Sequence, residues 1–362
     1  MLGVPVFLHA SWLLLALLVT VSYGQLVQRS RGLPAEAAYA FGFLFVLCLV
    51  FSVLLHELGH AVTARWFGVR VRGITLELLG GYTEMEGEAP RPGVELVVAL
   101  SGPAVSLVLG VAAAGAAAVL PGDTLANELA FQLAVSNILV AVFNVLPGLP
   151  LDGGRALRAA VWALSRDRHL GTRVAGWVGR VVAAAFLALA VLLYAAASLA
   201  PFGMLFMLLV AFTLWQGASA AIRLARISSR FPLIDLRQLT RPVFPVPTGT
   251  PLAEAQRRAA EEGRSNAALG VADSAGRLVA LVNAAAAAAV PADRRPWVPV
   301  DSVAANVAGM GAIPIELAGE AVIEAVRAHP SSDYLVTSGE DVVGVLRLAD
   351  LARLLESRGP AR

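Results

Sequence analysis

The chain has 362 residues, of which 57% are hydrophobic and only 15% are charged. A soluble domain has about 25% charged residues, so this composition predicts a membrane protein with several spanning segments. The net charge of +2 gives no basis for nucleic-acid binding, and the single cysteine, Cys48, excludes intrachain disulfides and multi-cysteine metal sites. All basic residues are arginine, a bias typical of a GC-rich bacterial genome.

Six apolar segments are predicted to cross the membrane. The first lacks the charged start and the small-residue cleavage site of a signal peptide, so we expect it to be retained. The predicted spans are residues 6–25, 37–66, 94–120, 129–146, 181–199 and 202–221, and the last two are joined by a short turn at 200–201. We expect Ser101-Gly102-Pro103 to interrupt the third span.

The second span ends in the stretch 51–61, FSVLLHELGHA, which contains an H-E-x-x-H pattern. On a helix, His56 and His60 share a face, so both imidazoles can reach one metal ion. Glu57 can then take a proton from a water at that metal. Ionisable side chains inside an apolar span are costly and usually functional, which favours a metal site over a chance match.

Two histidines leave a zinc ion short of a third protein ligand, and a carboxylate is a common choice. Asp152, in the segment PLDGGR after the fourth span, is the candidate because prolines and glycines break the helix there. Two alternatives are a helix-capping role for Asp152 and a ligand role for Glu95, at the start of the third span.

Between the second and third spans, residues 69–92 alternate in polarity and contain several β-branched residues, which predicts strands rather than a helix. Gly80-Gly81 is predicted to be the turn of a β-hairpin. A solvated loop is the alternative.

The distribution of arginine predicts the orientation of the bundle. The Arg-rich loop after the fourth span and the cluster Arg223, Arg226 and Arg230 after the sixth should be cytoplasmic. Both termini are then cytoplasmic, and the H-E-x-x-H motif lies near the cytoplasmic end of the second span. Arg29 and Arg31 fall on the outside and conflict mildly with this orientation.

The composition changes after residue 225. Residues 226–240 are predicted to be a linker, and residues 241–362 a soluble α/β domain with an internal repeat. Each half of the repeat reads as a short strand, a helix and a hairpin with a glycine-containing turn. The second half ends in a further helix.

The membrane part resembles the site-2 protease family of intramembrane zinc metalloproteases. The resemblance rests on the segment HELGH at 56–60 and the segment NVLPGLPLDGGR at 144–155. It implies one zinc per chain held by His56, His60 and Asp152, with Glu57 as the catalytic base. It further implies substrate contacts from Asn144 and from a membrane-re-entrant β-hairpin at Gly80 and Gly81. Ser106 stands where many family members have Asn, which weakens the expectation of a polar role there.

The C-terminal repeat resembles a pair of CBS domains. The resemblance rests on the segment GVLRLAD at 344–350 and implies that Asp350 contacts the ribose of an adenine nucleotide. Ala286 takes the corresponding place in the first half, so one nucleotide site looks lost. A purely structural pair that forms a homodimer is the alternative.

These observations predict an α-helical polytopic membrane protein with about six transmembrane helices, a re-entrant β-hairpin and a C-terminal CBS pair. Its domains are residues 1–225, with a catalytic core at about 37–158, the linker 226–240, and 241–362. The expected function is regulated intramembrane proteolysis in the bacterial cell membrane. The expected substrate is a single-pass membrane protein, such as an anti-sigma factor or membrane-bound regulator. A CBS-regulated channel or transporter leaves the H-E-x-x-H motif unexplained, and Glu57 speaks against an inactive homologue.

Overall fold

The computed structural model describes residues 3–77, 80–87, 89–198, 201–339 and 341–356. The chain divides between Arg226 and Ile227 into two compact units. The first unit is mainly helical, and the second is built from two small β-sheets with helices.

The helices up to the boundary include six candidates, among the described residues, that are long and apolar enough to cross a membrane. A helix satisfies its backbone hydrogen bonds internally, as hydrocarbon requires. The prediction of a multi-pass membrane protein is therefore confirmed. The helices are α1 (Ser11–Arg31), α2 (Ala35–Trp66), α3 (Pro92–Val119), α4 (Leu125–Val145), α5 (Asp152–Ser165), α6 (Arg168–Ala195) and α7 (Pro201–Ser228), and α5 is the one that is not a spanning candidate.

Three details of the predicted spans differ from the structure. The first span begins at Ser11, because residues 6–8 form a strand instead. The third span is a continuous helix through Pro103. Proline is tolerated inside a membrane helix where surrounding protein groups can satisfy the backbone carbonyl that it frees. The predicted turn before α7 includes residue 200, which lies outside the described residues.

The first unit also contains a three-stranded sheet made of β1 (Val6–Leu8), β2 (Arg70–Glu77) and β3 (Gly80–Glu86). The strand order is β1-β2-β3, with β1 parallel and β3 antiparallel to β2. The predicted hairpin is confirmed, and β2 is its central strand. Among the described strands, β3 pairs on one side only, so its other edge is open.

The prediction that Gly80-Gly81 is the turn of the hairpin is wrong. Gly80 and Gly81 pair with Glu77 and Leu76, so they are the first residues of β3. The connecting residues 78 and 79 lie outside the described part of the chain. Gly80 has φ of +146°, a backbone conformation that favours glycine at the start of the strand.

The helices of the first unit pack around α3, which contacts α2, α4 and α5. In addition, α1 packs on α2, and α5 packs on α6. Since α2 carries the two histidines and α5 begins at Asp152, α3 brings the two parts of the motif into one neighbourhood.

The second unit repeats one motif twice, as the sequence predicts. In each half, two strands joined by a helix pair in parallel. The second of these strands also pairs antiparallel with the strand that follows it, which forms a hairpin. The first half has α8 (Leu236–Leu239) before it and contains β4 (Val243–Pro247), α9 (Leu252–Glu261), β5 (Ala268–Ala272), β6 (Leu278–Val282), α10 (Ala284–Ala289) and β7 (Ala304–Asn306). The second half contains β8 (Ala312–Pro314), α11 (Glu320–Ala328), β9 (Asp333–Ser338), β10 (Asp341–Arg347) and α12 (Leu348–Glu356).

The segment 226–240, predicted to be a linker, contributes apolar side chains to the second unit. Ile234 and Leu236 are buried in a core cluster with Ile313, Tyr334 and Leu346. The apolar residues of this short segment are spaced too irregularly to predict that burial.

Candidate metal centre

Helix α2 places His56 and His60 one turn apart on a buried face. Both imidazoles are at most 4% exposed, on a helix that is mainly apolar. Their Nε2 atoms lie 3.3 Å apart, so the two side chains converge on one point. The prediction that the i, i+4 spacing brings the imidazoles together agrees with this geometry.

Asp152 reaches the same point from another part of the chain. It is the first residue of α5, after a non-helical segment at 146–151 that follows α4. A Cβ added at Gly153 or Gly154 would collide with the backbone at Val145 or Gly148, so glycine permits this sharp reversal. The broken backbone agrees with the prediction. The helix-capping alternative for Asp152 does not, because Leu151 is the N-cap residue of α5 and the Asp152 carboxylate lies beside the histidines.

The three ligand atoms form a compact triangle. Asp152 Oδ2 lies 3.1 Å from His56 Nε2 and 3.2 Å from His60 Nε2. Tetrahedral zinc with bonds of about 2.0–2.1 Å needs ligand atoms about 3.3 Å apart. Two imidazoles and one carboxylate are also a donor set that zinc uses, so the residues present fit the ion.

The opposite ring nitrogens are held by hydrogen bonds. His60 Nδ1 donates to the Val98 carbonyl at 2.7 Å, which leaves its Nε2 with a lone pair for a metal. His56 Nδ1 lies 2.9 Å from Ser106 Oγ. Such partners orient metal-binding imidazoles. Ser106 therefore has a polar contact, contrary to the expectation from the sequence.

Helix α3 supplies the floor of the site through Gly102. A Cβ at this position would collide with the Nε2 atoms of both His56 and His60. The site consequently needs a residue without a side chain there. From the sequence, Gly102 is predicted only to interrupt the helix, and no pattern in a single sequence distinguishes the two roles.

The hairpin holds the Glu57 carboxylate. Thr83, on β3, donates its hydroxyl to Glu57 Oε2 at 2.8 Å. A Cβ at Gly81 would lie 2.8 Å from Glu57 Cγ and 3.2 Å from Oε1, so glycine leaves room for the carboxylate. Glu57 itself is 5% exposed. The hairpin thus lies directly beside the predicted base.

Two other candidate site residues from the sequence, a carboxylate and an amide, are not among the three clustered ligands. Glu95, the alternative ligand, forms an ion pair with Arg158 and is not part of the triangle. Asn144 lies near the end of α4, half-buried, without a side-chain hydrogen bond to another described residue. Its substrate role remains a prediction.

In the second unit, Asp350 is already engaged by arginines. Arg241 donates to Oδ2 at 2.7 Å and to Oδ1 at 3.0 Å, and Arg353 forms a further ion pair. The hydrogen bonds from Arg241 hold the pKa of the Asp350 carboxyl below its ordinary value. In the first half, Asn283 caps α10 by accepting from the Ala286 amide.

The model of peptidase family M50 matches residues 44–133 and 123–190, which include both histidines and Asp152. Two relatives are named as zinc metalloproteases. The protein sll0528 from Synechocystis is 33% identical over 70% of this chain and 66% of its own length. Rip3 from Mycobacterium tuberculosis is 32% identical over 98% of this chain and 91% of its own length.

Two kinds of solved structure are similar to parts of this chain. The site-2 protease from Methanocaldococcus jannaschii is 26% identical, with a TM-score of 0.45 over 61% of this chain and 92% of that chain. CBS-domain structures also match, with TM-scores of 0.26 to 0.28. By its relatives and the matching family model, this chain belongs to peptidase family M50, the family of these zinc metalloproteases.

Proposed function

We propose that this protein is an intramembrane zinc metalloprotease that cleaves transmembrane segments of membrane proteins. His56, His60 and Asp152 hold one zinc ion, and Glu57 is the general base. The supporting observation is the buried triangle of three ligand atoms spaced 3.1–3.3 Å apart on helices of an apolar bundle. Ionisable groups have no structural reason to converge in such surroundings.

The bound zinc ion would lower the pKa of water to about 7 and polarise a peptide carbonyl. Glu57 then accepts the proton from the attacking water and passes it to the leaving amine. The hydroxyl of Thr83 holds one carboxylate oxygen of Glu57, which fixes the orientation of the base. Burial of the site excludes bulk water and strengthens these electrostatic effects.

Metal analysis of the purified protein tests the proposed ligand set. Wild type should contain one zinc per chain, and His60→Ala should lose it because only two ligands remain. Zinc content that is unaffected by His60→Ala would contradict the assignment.

The hydrogen bond between His56 Nδ1 and Ser106 Oγ gives a further prediction. Ser106→Ala should weaken zinc binding by about 10- to 100-fold, the usual cost of losing the hydrogen bond that orients a metal-binding histidine. Competition with a chelator measures this affinity directly. Ser106→Asn, which can restore a hydrogen bond, should recover most of it, whereas equal zinc affinity in wild type and Ser106→Ala would show that the contact does not orient the ring.

The open edge of β3 is the proposed docking site for the substrate. A peptide bond can be attacked only after its helix unwinds, and the released backbone groups need new partners in lipid. Pairing with β3 as an added strand provides them. The central strand β2 is paired on both sides, so it cannot serve this purpose.

Proline scanning along β3 tests this docking. Proline at positions 82–86 whose N–H points to the open edge should keep the fold and the zinc but lose most cleavage. Alternate positions, whose N–H pairs with β2, should instead destabilise the hairpin. Cleavage that survives at every position that still folds would place the substrate elsewhere.

The second unit is proposed to be a cytoplasmic regulator that binds an adenine nucleotide, with dimerisation as its other candidate role. Because Arg241 and Arg353 engage Asp350, a ribose hydroxyl must compete with them. We expect Asp350→Ala to abolish binding and Arg241→Gln to strengthen it by about tenfold, or about 1.4 kcal/mol.

Calorimetry with ATP, ADP and AMP measures this binding, and Asn283→Ala in the first half is the matched control. No binding at millimolar nucleotide would contradict the regulator role and leave dimerisation. Reporter fusions after Arg230 test the cytoplasmic location independently.

A further inference from the structure

A cavity of about 230 Å³ lies beside the metal-ligand triangle. Thr83 and Val98 line it, and each also touches the site: Thr83 donates to Glu57, and the Val98 carbonyl accepts from His60. A water occupies about 30 Å³ in the liquid, so this volume accommodates one amino-acid side chain with a few waters. The cavity is therefore close enough to the base to receive a side chain next to a reacting peptide bond.

Two arginines and one glutamate line the same cavity. Glu95 is 1% exposed and pairs with Arg158, so their charges offset each other. The Oε2 atom of Glu95 is buried without a hydrogen-bond partner among the described residues. This side of the cavity is thus polar and contains a buried acceptor without a hydrogen-bond donor among the described residues.

Arg155 is the cavity residue with spare donor capacity. Its one hydrogen bond to a described residue goes to the Met85 thioether sulfur at 3.7 Å. A guanidinium has five N–H donors, and a thioether is a weak acceptor. Asp152, three residues earlier, directs its carboxylate to the histidines. Arg155 consequently presents donors and positive charge to whatever enters the cavity.

The hairpin aligns a docked strand with this cavity. Along β3, Gly81, Thr83 and Met85 share the half-buried face, whereas Tyr82 and Glu84 are exposed on the other. Side chains of a strand paired to β3 alternate in the same way. Every second substrate side chain would therefore lie on the face of Thr83 and Met85, where the cavity is.

We propose that this cavity is a substrate side-chain subsite and that Arg155 is its specificity-determining residue. It selects an acidic or amide side chain close to the scissile bond. A guanidinium donates two parallel hydrogen bonds to a carboxylate and donates less strongly to an amide oxygen. A substrate lysine would be repelled by the like charge. This inference rests on the protease function proposed above.

A reporter with one transmembrane segment, cleaved by the zinc-loaded full chain in proteoliposomes, tests the inference. Mass spectrometry first locates the cleaved bond, and each of the four residues on either side is then replaced in turn by Asp, Asn, Leu or Lys. We expect one position at which kcat/KM is about tenfold higher for Asp than for Lys, a difference of about 1.4 kcal/mol. Asn should be intermediate.

The variants of the enzyme provide the decisive comparison. Arg155→Gln should remove the preference, Arg155→Glu should reverse it in favour of Lys, and Arg155→Lys should retain part of it. Arg166→Gln, at an exposed arginine directly after the same helix, is the matched control and should keep the wild-type preference.

Zinc content is measured for each variant, because a variant that merely misfolds should lose the metal. A wild type without any preference, a preference that persists in Arg155→Glu, or zinc loss in Arg155→Lys would each overturn the subsite. Failure of wild type to bind zinc or to cleave any reporter would count against the protease function itself. The two failures are thus distinguishable.

Discussion

Glu57→Gln should retain one zinc per chain and lose cleavage. The substitution keeps the shape of the side chain, and Thr83 can still donate to the amide oxygen, but the amide cannot accept a proton from water. General bases contribute about 10²- to 10⁴-fold to rates, so we expect a loss within that range. Cleavage of a single-span reporter in proteoliposomes, with parallel metal analysis, measures both quantities.

Glu57→Asp is the informative comparison for that experiment. It keeps the charge but draws the carboxylate back by one methylene, so part of the activity should remain. Loss of zinc in Glu57→Gln would indicate that Glu57 is a metal ligand. Unchanged cleavage in Glu57→Gln would show that another group accepts the proton.

Gly102→Ala should remove the zinc site without changing any proposed ligand. The added methyl group would collide with the Nε2 atoms of His56 and His60, which must face the ion. The loss of zinc affinity should exceed about 10- to 100-fold, the cost of losing a hydrogen bond to a metal-binding histidine. Zinc titration against a chelator, with circular dichroism to verify helix content, provides the measurement.

Gly115→Ala is the matched control on the same helix. A Cβ at Gly115 meets nothing within 4 Å, so this variant should bind zinc and cleave like wild type. Normal zinc affinity in Gly102→Ala would mean that α3 can move away from the histidines, and the close approach would then have no functional importance.

The parts of the site that sequence reasoning can find are those encoded locally. His56 and His60 are related by helical periodicity, and the apolar surroundings of α2 make ionisable side chains conspicuous. Asp152 cannot be linked to the histidines by local periodicity, because it lies 92 residues after His60. The prolines and glycines around it indicate broken backbone, and the family resemblance links it to the histidines.

The parts that sequence reasoning missed depend on contacts between distant segments. Thr83 reaches Glu57 across 26 residues, and Gly102 matters only because α3 packs closely on α2. Neither residue type is unusual in a strand or a membrane helix. The strand Val6–Leu8 cannot be told apart from the first span in the sequence, because three apolar residues are too few to show the alternation of a strand.

The same limit applies to Asp350. Its motif indicates a ribose contact, but Arg241, which binds the carboxylate, lies 109 residues earlier, just before β4. Charge pairing over such separations is not visible in sequence patterns. A ligand at Asp350 must therefore compete with Arg241, so removing Arg241 is expected to strengthen binding.

The position of the cleaved bond tests the central claim most directly. Mass spectrometry of both products from a single-span reporter, cut by the purified full chain in proteoliposomes, locates that bond. Intramembrane zinc proteolysis predicts a cut within the apolar span, abolished by a chelator and restored by added zinc. A cut in the flanking soluble segments, or cleavage that survives complete zinc removal, would contradict it.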